Sequence, residues 1–547
     1  MMSLNAASLC SRRQCCCGAL KFQQKDSNYG GDGRFFECLK RVLVIANGRK
    51  IIGRITYREE NTTSLALTRH DNPHVLGPSS SLLGQNILPQ YSHNTQTIGP
   101  TALLSAGKKK DSHHFETILC VLQIIIYIME FLPLSDRISA AQVCQQWYDA
   151  SRELKLHRKE VVILQDDMTQ AVKVFQNSHR PVLHLVLKDL ELGNKLSTFW
   201  DRFCPQLLSL AIQCCDVSER TFFEVLSKCY HLELLQVSGC RELLMSGRVL
   251  ETPRDVAVLR KTLVKLRELS LDSNRYLSDA LFNRFVAIAP NLDCLSLTGC
   301  QISFHSGLCR KFYPDDSARL GSVMASESVL TFNNILQLIV HQARKLRKLK
   351  FGHTLMDNLA LARISEVPGL HLTVVHLQNC DQLNNTGVLA LTQRQKGLRE
   401  LDLSMCTRIT DLSLLEVCNN LKSLSVLKLR SCRGISNIGV SQLHRLTSLT
   451  ELDLSQCELV TGEGLQDGLC SRTNTTLEHL RLTALNLDER IVCRLAECLP
   501  NLTLFDLGFC FNAVTDRSIQ AICRHQVLLR KLILTSCDKA SIASLTI

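Results

Sequence analysis

From about residue 180 to residue 537, leucines return in the frame L-x-x-L-x-L-x-x-C, as in the stretch LRELDLSMC that begins at Leu398. The ninth position falls at Leu190, Cys215, Cys240, Asn274, Cys300, Thr354, Cys380, Cys406, Cys432, Cys457, Leu485, Cys510 and Cys537. Most steps are 25 to 28 residues, and a self-similar period of that length predicts a solenoid. The step from Cys240 to Asn274 is longer. That from Cys300 to Thr354 equals two periods, which implies either a degenerate repeat or an insertion holding RKFYPDDSARLGS. Each L-x-L core predicts a short strand, with alternate side chains entering the core and the others facing out. The next dozen residues carry helical apolar spacing, as at 412–420, and follow ITD, VTG or VTD, which makes Asp411, Thr461 and Asp516 the expected helix caps. One strand and one helix cannot bury an apolar face alone. Stacking buries it, so the predicted fold is α/β: a curved array with a parallel sheet inside and helices outside.

The cysteine stands where the chain turns off the strand. It is small and apolar enough to be buried, and its S–H is a weak donor for a local backbone carbonyl. Asn274 can do the same in its repeat. The position therefore reads as structural, with no redox or metal role.

A different apolar pattern precedes the repeats. Residues 124–148 read IIIYIMEFLPLSDRISAAQVCQQWY. Ile124, Ile125, Ile128 and Leu132 make one helical stripe, and Pro133 ends that helix. Ser135 or Asp136 starts a second helix, in which Ile138, Ala141, Val143, Cys144 and Trp147 are apolar and Gln145 and Gln146 lie outside. About forty residues make a poor independent core, so such a pair leaves apolar surface that needs a partner. The run at 118–134 is the one candidate membrane segment. Gln123 and Glu130 interrupt it and Pro133 ends it short of the roughly 20 residues a spanning helix needs, so it reads as a packed helix.

Composition changes this picture little. The chain of 547 residues carries a formal charge of +12, but residues 1–113 hold 15 Lys and Arg against 7 Asp and Glu. The basic excess is thus mostly N-terminal and does not mark a nucleic-acid binder. The 26 cysteines recur at one repeat position in a long chain with no signal-peptide pattern, which predicts reduced, buried thiols. No two cysteines are separated by two residues, and no HExxH, P-loop or GxSxG is present.

The frame with C-x-x-I-T-D-x-x-L is similar to the cysteine-containing leucine-rich repeats typical of F-box proteins, over about residues 180–537. Residues 131–148, FLPLSDRISAAQVCQQWY, resemble an F-box, the module that docks on the Skp adaptor of cullin–RING ubiquitin ligases. Family members usually begin with Leu-Pro and a glutamate just after; here the corresponding stretch, 120–123, is CVLQ. The resemblance implies adaptor contact through Ile128, Phe131, Leu132, Pro133, Leu134, Val143, Cys144 and Trp147. It implies cullin and RING subunits beyond the adaptor, a cytoplasmic or nuclear place, and a substrate receptor with no cofactor and no catalysis of its own. The expected domains are a mostly disordered basic segment at 1–113, an F-box at 114–158 and the solenoid at 159–547. A second reading makes the helices a cap over the first repeat of a scaffold that never meets a ligase.

The frame's third, fifth and seventh positions face outward. The fifth positions from 406 to 510 are Asp402, Lys428, Asp453, Arg481 and Asp506, expected to stack about 4.8 Å apart in a column of alternating sign. Such a column can neutralise itself as a ladder of exposed pairs, or serve as a polar strip for a protein substrate, with Lys428, Arg430, His479 and Arg481 as donors. ARKLRKLKF at 343–351 puts Lys348 and Lys350 on the same face with Arg344, Lys345 and Arg347 nearby, as if for an acidic or phosphorylated segment. Interleaved aromatics for single-stranded nucleic acid are absent. Within the first 113 residues, RVLVIANGRKIIGRITY predicts a hairpin turning at Asn47-Gly48. The Cys15-Cys16-Cys17 triplet and the lysines at 108–110 read as tail and linker. Ten residues follow Cys537, too few for a capping helix, so the last strand is expected to be poorly covered.

Overall fold

The computed structural model describes residues 122–537 apart from 166–171, 173–179, 194–196 and 305–325, with Lys539, the helix backbone from Ser112, and strand backbone at 41–46, 49–58 and 62–66. The L-x-L cores become strands of three to five residues. Thirteen of them, with Val161–Gln165 added before the first, form one fourteen-stranded parallel sheet in chain order, from Val161–Gln165 at one edge to Lys531–Ile533 at the other. The central leucines are in register (Leu401, Leu427, Leu452, Leu480) and buried in a core shared by all repeats. Strand Cys294–Ser296 pairs directly with Lys348–Lys350, so the double step from 300 to 354 is one repeat carrying an insertion. No second L-x-x-L-x-L frame exists there to supply another strand.

Each turn off the strand uses the same backbone. The residue before the ninth position has positive φ, for example Met405 at 62°, Ser431 at 59°, Gln456 at 61° and Phe509 at 60°. A left-handed residue costs about 1–2 kcal/mol when it carries a side chain. The stack offsets this, because the freed N–H donates into the next repeat: Met405 N to Arg430 O at 2.6 Å, Ser431 N to Ser455 O at 2.8 Å. The residue types there share nothing, so sequence gave no sign of it.

The ninth-position cysteine reaches farther than a local carbonyl. Cys406 Sγ donates to Leu377 O, Cys432 to Leu403 O, Cys457 to Leu429 O and Cys510 to Leu482 O, each at 3.1 Å. Each acceptor belongs to the preceding repeat, so the thiols tie neighbouring repeats along the array. Asn274 does so with its amide, donating to Val237 O at 2.8 Å and to its own Leu271 O at 2.9 Å. Burial pushes the Cys406 and Cys457 thiols up to about 12, in spite of the backbone hydrogen bonds that pull the other way. Replacing Cys432 by alanine is expected to lower unfolding stability by about 1–2 kcal/mol, from a lost methylene-sized volume and one weak hydrogen bond. In the native chain, alkylation should reach the exposed Cys144, Cys214 and Cys523 long before any ladder thiol, read by mass spectrometry. Rapid labelling of Cys406 or Cys432 would contradict the buried ladder.

The caps fall one residue earlier than expected at two helices. Thr410 and Thr515 are the N-caps, and Asp411 and Asp516 open the helices Asp411–Asn420 and Asp516–His525. Thr461 is the N-cap of Gly462–Leu469, but its side chain makes no capping bond. Asp411 is drawn off its own cap by the next repeat, where its carboxylate accepts from Ser436 N at 2.8 Å, Ser436 Oγ at 2.6 Å and Gly439 N at 3.1 Å. Asn385 and Asn437 do the same, accepting from Thr410 N at 3.0 Å and Thr461 N at 2.9 Å. A second polar ladder thus runs along the helix starts.

At the far edge, Leu532 and Leu534 are only partly buried, whereas their counterparts Phe505 and Leu507 are fully enclosed. Near the N-terminus, Arg41–Ala46 pairs antiparallel with Arg49–Arg58, Ala46 opposite Arg49, and a third strand, Thr62–Ala66, joins the second. The other expectations for residues 1–111, disorder and the cysteine triplet among them, lie outside the described residues. No helix among the described residues is long and apolar enough to cross a membrane.

Candidate functional site

Before the solenoid stand four helices: α1 (Ser112–Phe131), α2 (Leu134–Ala140), α3 (Gln145–Ser151) and α4 (Leu154–His157). With no proline at 120–123, α1 runs without a break back to Ser112. Pro133 then caps α2, its carbonyl accepting from Asp136 N and Arg137 N at 3.0 Å. The second helix expected from sequence is two, because the chain turns tightly at 141–143 between α2 and α3.

Helix α1 carries apolar residues on two opposite faces, which do different work. Ile125 and Met129 are buried, with Leu122 and Ile126 packed beside them, against Ala150, Leu156 and Trp147. The opposite stripe, Ile124, Tyr127, Ile128 and Phe131, has the same helical spacing and faces solvent, Phe131 at 64% exposed. The tyrosine and phenylalanine rings meet edge to face at 5.0 Å. Ile138, Val143 at 71% exposed and Leu154 extend the apolar area from α2, the turn and α4. The stripe of Ile124, Ile125, Ile128 and Leu132 expected from sequence is therefore corrected: Ile125 belongs inside, and Leu132 follows the helix end. Among the residues implied for adaptor contact, Ile128, Phe131, Val143 and Cys144 are exposed, and Leu132, Pro133 and Trp147 are half-buried. Leu134 is 3% exposed and cannot meet a partner, because α2 turns it inward. Sequence missed Ile124 as an outward residue, and Tyr127 altogether, since a helix with two apolar stripes does not declare which one faces the core.

A buried ionic cluster fixes these helices to the first strand. Glu160 stands one residue before Val161–Gln165. Its carboxylate pairs with Arg137 of α2 at 3.0 Å, with His157 Nδ1 of α4 at 2.5 Å and with Arg180. Arg137 also donates to Leu132 O at 3.0 Å and Leu156 O at 2.9 Å, and His157 Nε2 meets Ser151 O at 2.8 Å. Burial alone would raise the Glu160 carboxyl; the His157 hydrogen bond and the charges of Arg180, His157 and Arg137 outweigh it and hold it at about 2. The helices that carry the apolar stripe are thereby tied through charged contacts to the residue that leads into the first strand.

The second surface is the outward face of the sheet. The register places Lys350, His376, Asp402, Lys428, Asp453, Arg481 and Asp506 side by side, one per strand. Lys348 and His479 lie in the neighbouring column, and Arg430 is exposed just past its strand. The expected column also pairs across to its neighbour. Its cations reach diagonally to glutamates of the other column: Lys428 to Glu400 at 4.0 Å and Glu451 at 3.8 Å, Arg481 to Glu451 at 2.8 Å, His376 to Glu400 at 2.8 Å. Lys348 pairs with Glu268 at 2.8 Å, and His479 with Glu451 at 3.5 Å. The aspartates accept from their own turns, Asp402 from Ser404 N at 3.0 Å, Asp453 from Ser455 N at 2.9 Å and Asp506 from Gly508 N at 3.0 Å. A short carboxylate reaches its own backbone more readily than the next strand. Asp453 is buried, and burial pushes its carboxyl up. Burial would also raise Glu400, but the His376 hydrogen bond and the charges of His376, Lys428 and Lys350 hold it below the ordinary range.

The basic cluster around Lys348 disperses. Lys345 turns to Pro290 O and Asn291 Oδ1, both at 3.0 Å, and Arg347 donates to the carbonyls of Leu346 and Arg344 at 2.9 Å. Both are occupied at the helix-to-strand loop and are not aimed at the outward face.

Comparison with known proteins yields two domain matches. A family model described as F-box domain matches residues 122–159, and one described as Leucine Rich repeat matches residues 445–467. The chain is 22% identical over 389 residues to EEED8.10, a candidate RNA-binding protein of Caenorhabditis elegans. That match covers 63% of this chain and 50% of the nematode protein, so the chain spans about half the length of this curated relative. Among solved structures, it is similar to the Rad7 and Elc1 complex of yeast, at 16% identity over 80% of this chain and 96% of that one, with a TM-score of 0.46. An internalin (InlF) of Listeria monocytogenes is similar at 17% identity over 62% and 84% of the two chains, with a TM-score of 0.33.

Proposed function

We propose that this chain, which carries an F-box followed by leucine-rich repeats, is the substrate-recognition subunit of an SCF-type ubiquitin ligase. The observation that supports it most is the solvent-facing stripe of α1, Ile124, Tyr127, Ile128 and Phe131. A four-residue apolar stripe on a soluble helix is a cost in water unless a partner covers it. In this reading the Skp adaptor covers it, with cullin and RING subunits held beyond. The role is positional. The helices anchor the transfer machinery, the repeats hold a protein substrate, and the buried Glu160 cluster keeps a fixed distance between them. A substrate lysine then meets the charged conjugating enzyme at high effective concentration, and no residue of this chain has to break or make a bond.

The test is co-purification of adaptor and cullin with the full chain and with a Tyr127→Asp, Phe131→Asp variant. Both residues are exposed, so the variant should fold, and adaptor affinity should fall by about 100-fold or more. Equal recovery with the variant would remove the docking assignment. No recovery even with the unaltered chain would favour the scaffold reading, in which the helices only cover the first repeat.

A further inference from the structure

The cations on the strand face already have carboxylate partners. Three arginines at the rim where strands turn into helices do not. Arg408, Arg430 and Arg433 are exposed, and none has a carboxylate within ion-pair distance among the described residues. In the neighbouring turn stretches of this rim, 405–412, 430–438 and 455–461, the one exposed acidic side chain is Glu458, which takes the position of Arg433 in the next repeat and joins no ion pair there. The same stretches present large apolar side chains to solvent: Met405, Leu412, Ile438 at 75% exposed, and Leu459.

The stacked backbone makes these residues one surface. Met405 N donates to Arg430 O at 2.6 Å, and parallel bridges join Asn384 to Arg408, Thr410 to Gly434 and Ser436 to Leu459. Leu412 and Ile438 sit at the same helical position in adjacent repeats, each N–H bonded to its own cap, Thr410 or Ser436. Leu412 and Ile438 are thus one repeat apart, about 5 Å, while Met405, Arg408, Arg433 and Leu459 stand at other positions of the rim, charged and apolar side chains intermixed. Met405 is turned outward by its left-handed backbone, φ 62°, which every repeat uses at that position.

We infer that this rim, from Met405 to Leu459, holds an extended peptide segment rich in Asp and Glu with leucine- or phenylalanine-sized residues between them. The inference rests on the receptor reading and names the class of substrate segment for it. Charge complementarity supplies the acidic half. The arginines come from different places along the rim and do not converge on one point, which suits separate carboxylates better than one phosphate. The apolar half follows from Leu412, Ile438 and Leu459. All the exposed apolar neighbours are aliphatic, so the stacking platforms that single-stranded nucleic acid needs are missing from this patch.

The experiment is peptide display on the purified full chain, using random 15-residue peptides, followed by binding measurements with the selected sequences. The peptides expected are acidic with interspersed Leu, Ile or Phe. Charge reversal at Arg408→Glu, Arg430→Glu and Arg433→Glu should weaken them about 30-fold or more. Lysine-for-glutamate versions of the same peptides should bind the reversed protein better than the original one, which also shows that the variant is folded. Selected peptides that are neutral or basic, or affinities indifferent to the reversal, would overturn the proposal. So would a uridine-rich RNA oligomer that binds the three arginines more tightly than any peptide does. Adaptor recovery is read separately on the α1 stripe, so a failure here leaves the receptor reading standing, and the reverse also holds.

Discussion

Glu160→Gln is expected to be among the most damaging single substitutions in the described chain, although it changes one oxygen to an amide nitrogen. Glu160 is buried among Arg137, His157 and Arg180, and neutralising it leaves Arg137 charged and only 5% exposed. Removing one partner of a buried pair costs about 3–5 kcal/mol. The pKa gives an independent figure of the same size. A carboxyl at about 2 in place of its ordinary 4.5 corresponds to about 3 kcal/mol of stability. That stability is fully present above pH 4.5 and is lost as pH falls from there through about 2, because protonation then removes the charge the cluster holds. The gap between the native chain and Glu160→Gln should thus be widest near neutral pH and narrow progressively below pH 4.5. Urea unfolding at pH 7 and at pH 3, with limited proteolysis between α4 and the first strand, measures both. A variant whose midpoint stays within error of the native chain at pH 7 would mean that the cluster does not hold the helices to the solenoid.

Gly468→Val should be comparably severe for a reason of shape alone. In helix Gly462–Leu469, a Cβ at Gly468 would lie 2.1 Å from Val440 O and 3.0 Å from Val440 C, both backbone atoms of the preceding repeat. One turn earlier, a Cβ at Gly464 would stand 2.6 Å from the Asn437 Oδ1 that caps Thr461. Backbone cannot step aside as a flexible side chain can, so the two repeats must part, at about 3 kcal/mol or more. In a solenoid each repeat touches only its neighbours, so the damage should stay local. Hydrogen exchange should rise in residues 437–470 while the strands near Val161 keep their protection. Melting unchanged in the valine variant would show that the repeats have slack the packing does not reveal. Alanine at Gly464 should be damaging too, since its Cβ would also stand 2.7 Å from the backbone Cα of Asn437, which no side-chain rotation relieves.

The sequence determined the solenoid. Leucine periodicity located the strands, fixed which side chains point inward and ordered the sheet, because in a parallel stack of equal repeats local pattern and global fold are the same information. It also placed the outward column from Asp402 to Asp506, and set Lys350 on the same face. What stood outside its reach were choices between equivalent local partners. An aspartate at a helix start is a good cap in isolation; Asp411 gives up that role because Ser436 and Gly439 arrive from the next repeat. On the strand face the long chain of Lys428 reaches Glu400 and Glu451 of the other column, while the short carboxylate of Asp402 bonds to Ser404 of its own turn. The left-handed turn residues share no side-chain type, since the backbone bond to the neighbouring repeat imposes the conformation. In α1, two stripes are apolar, and packing against α3 and α4 decides that Ile125 and Met129 go in and Tyr127 and Phe131 stay out. Periodicity is a property of one chain segment and can be read along it. Which of two satisfied arrangements wins depends on distances between segments far apart in sequence, and those exist only once the chain has folded.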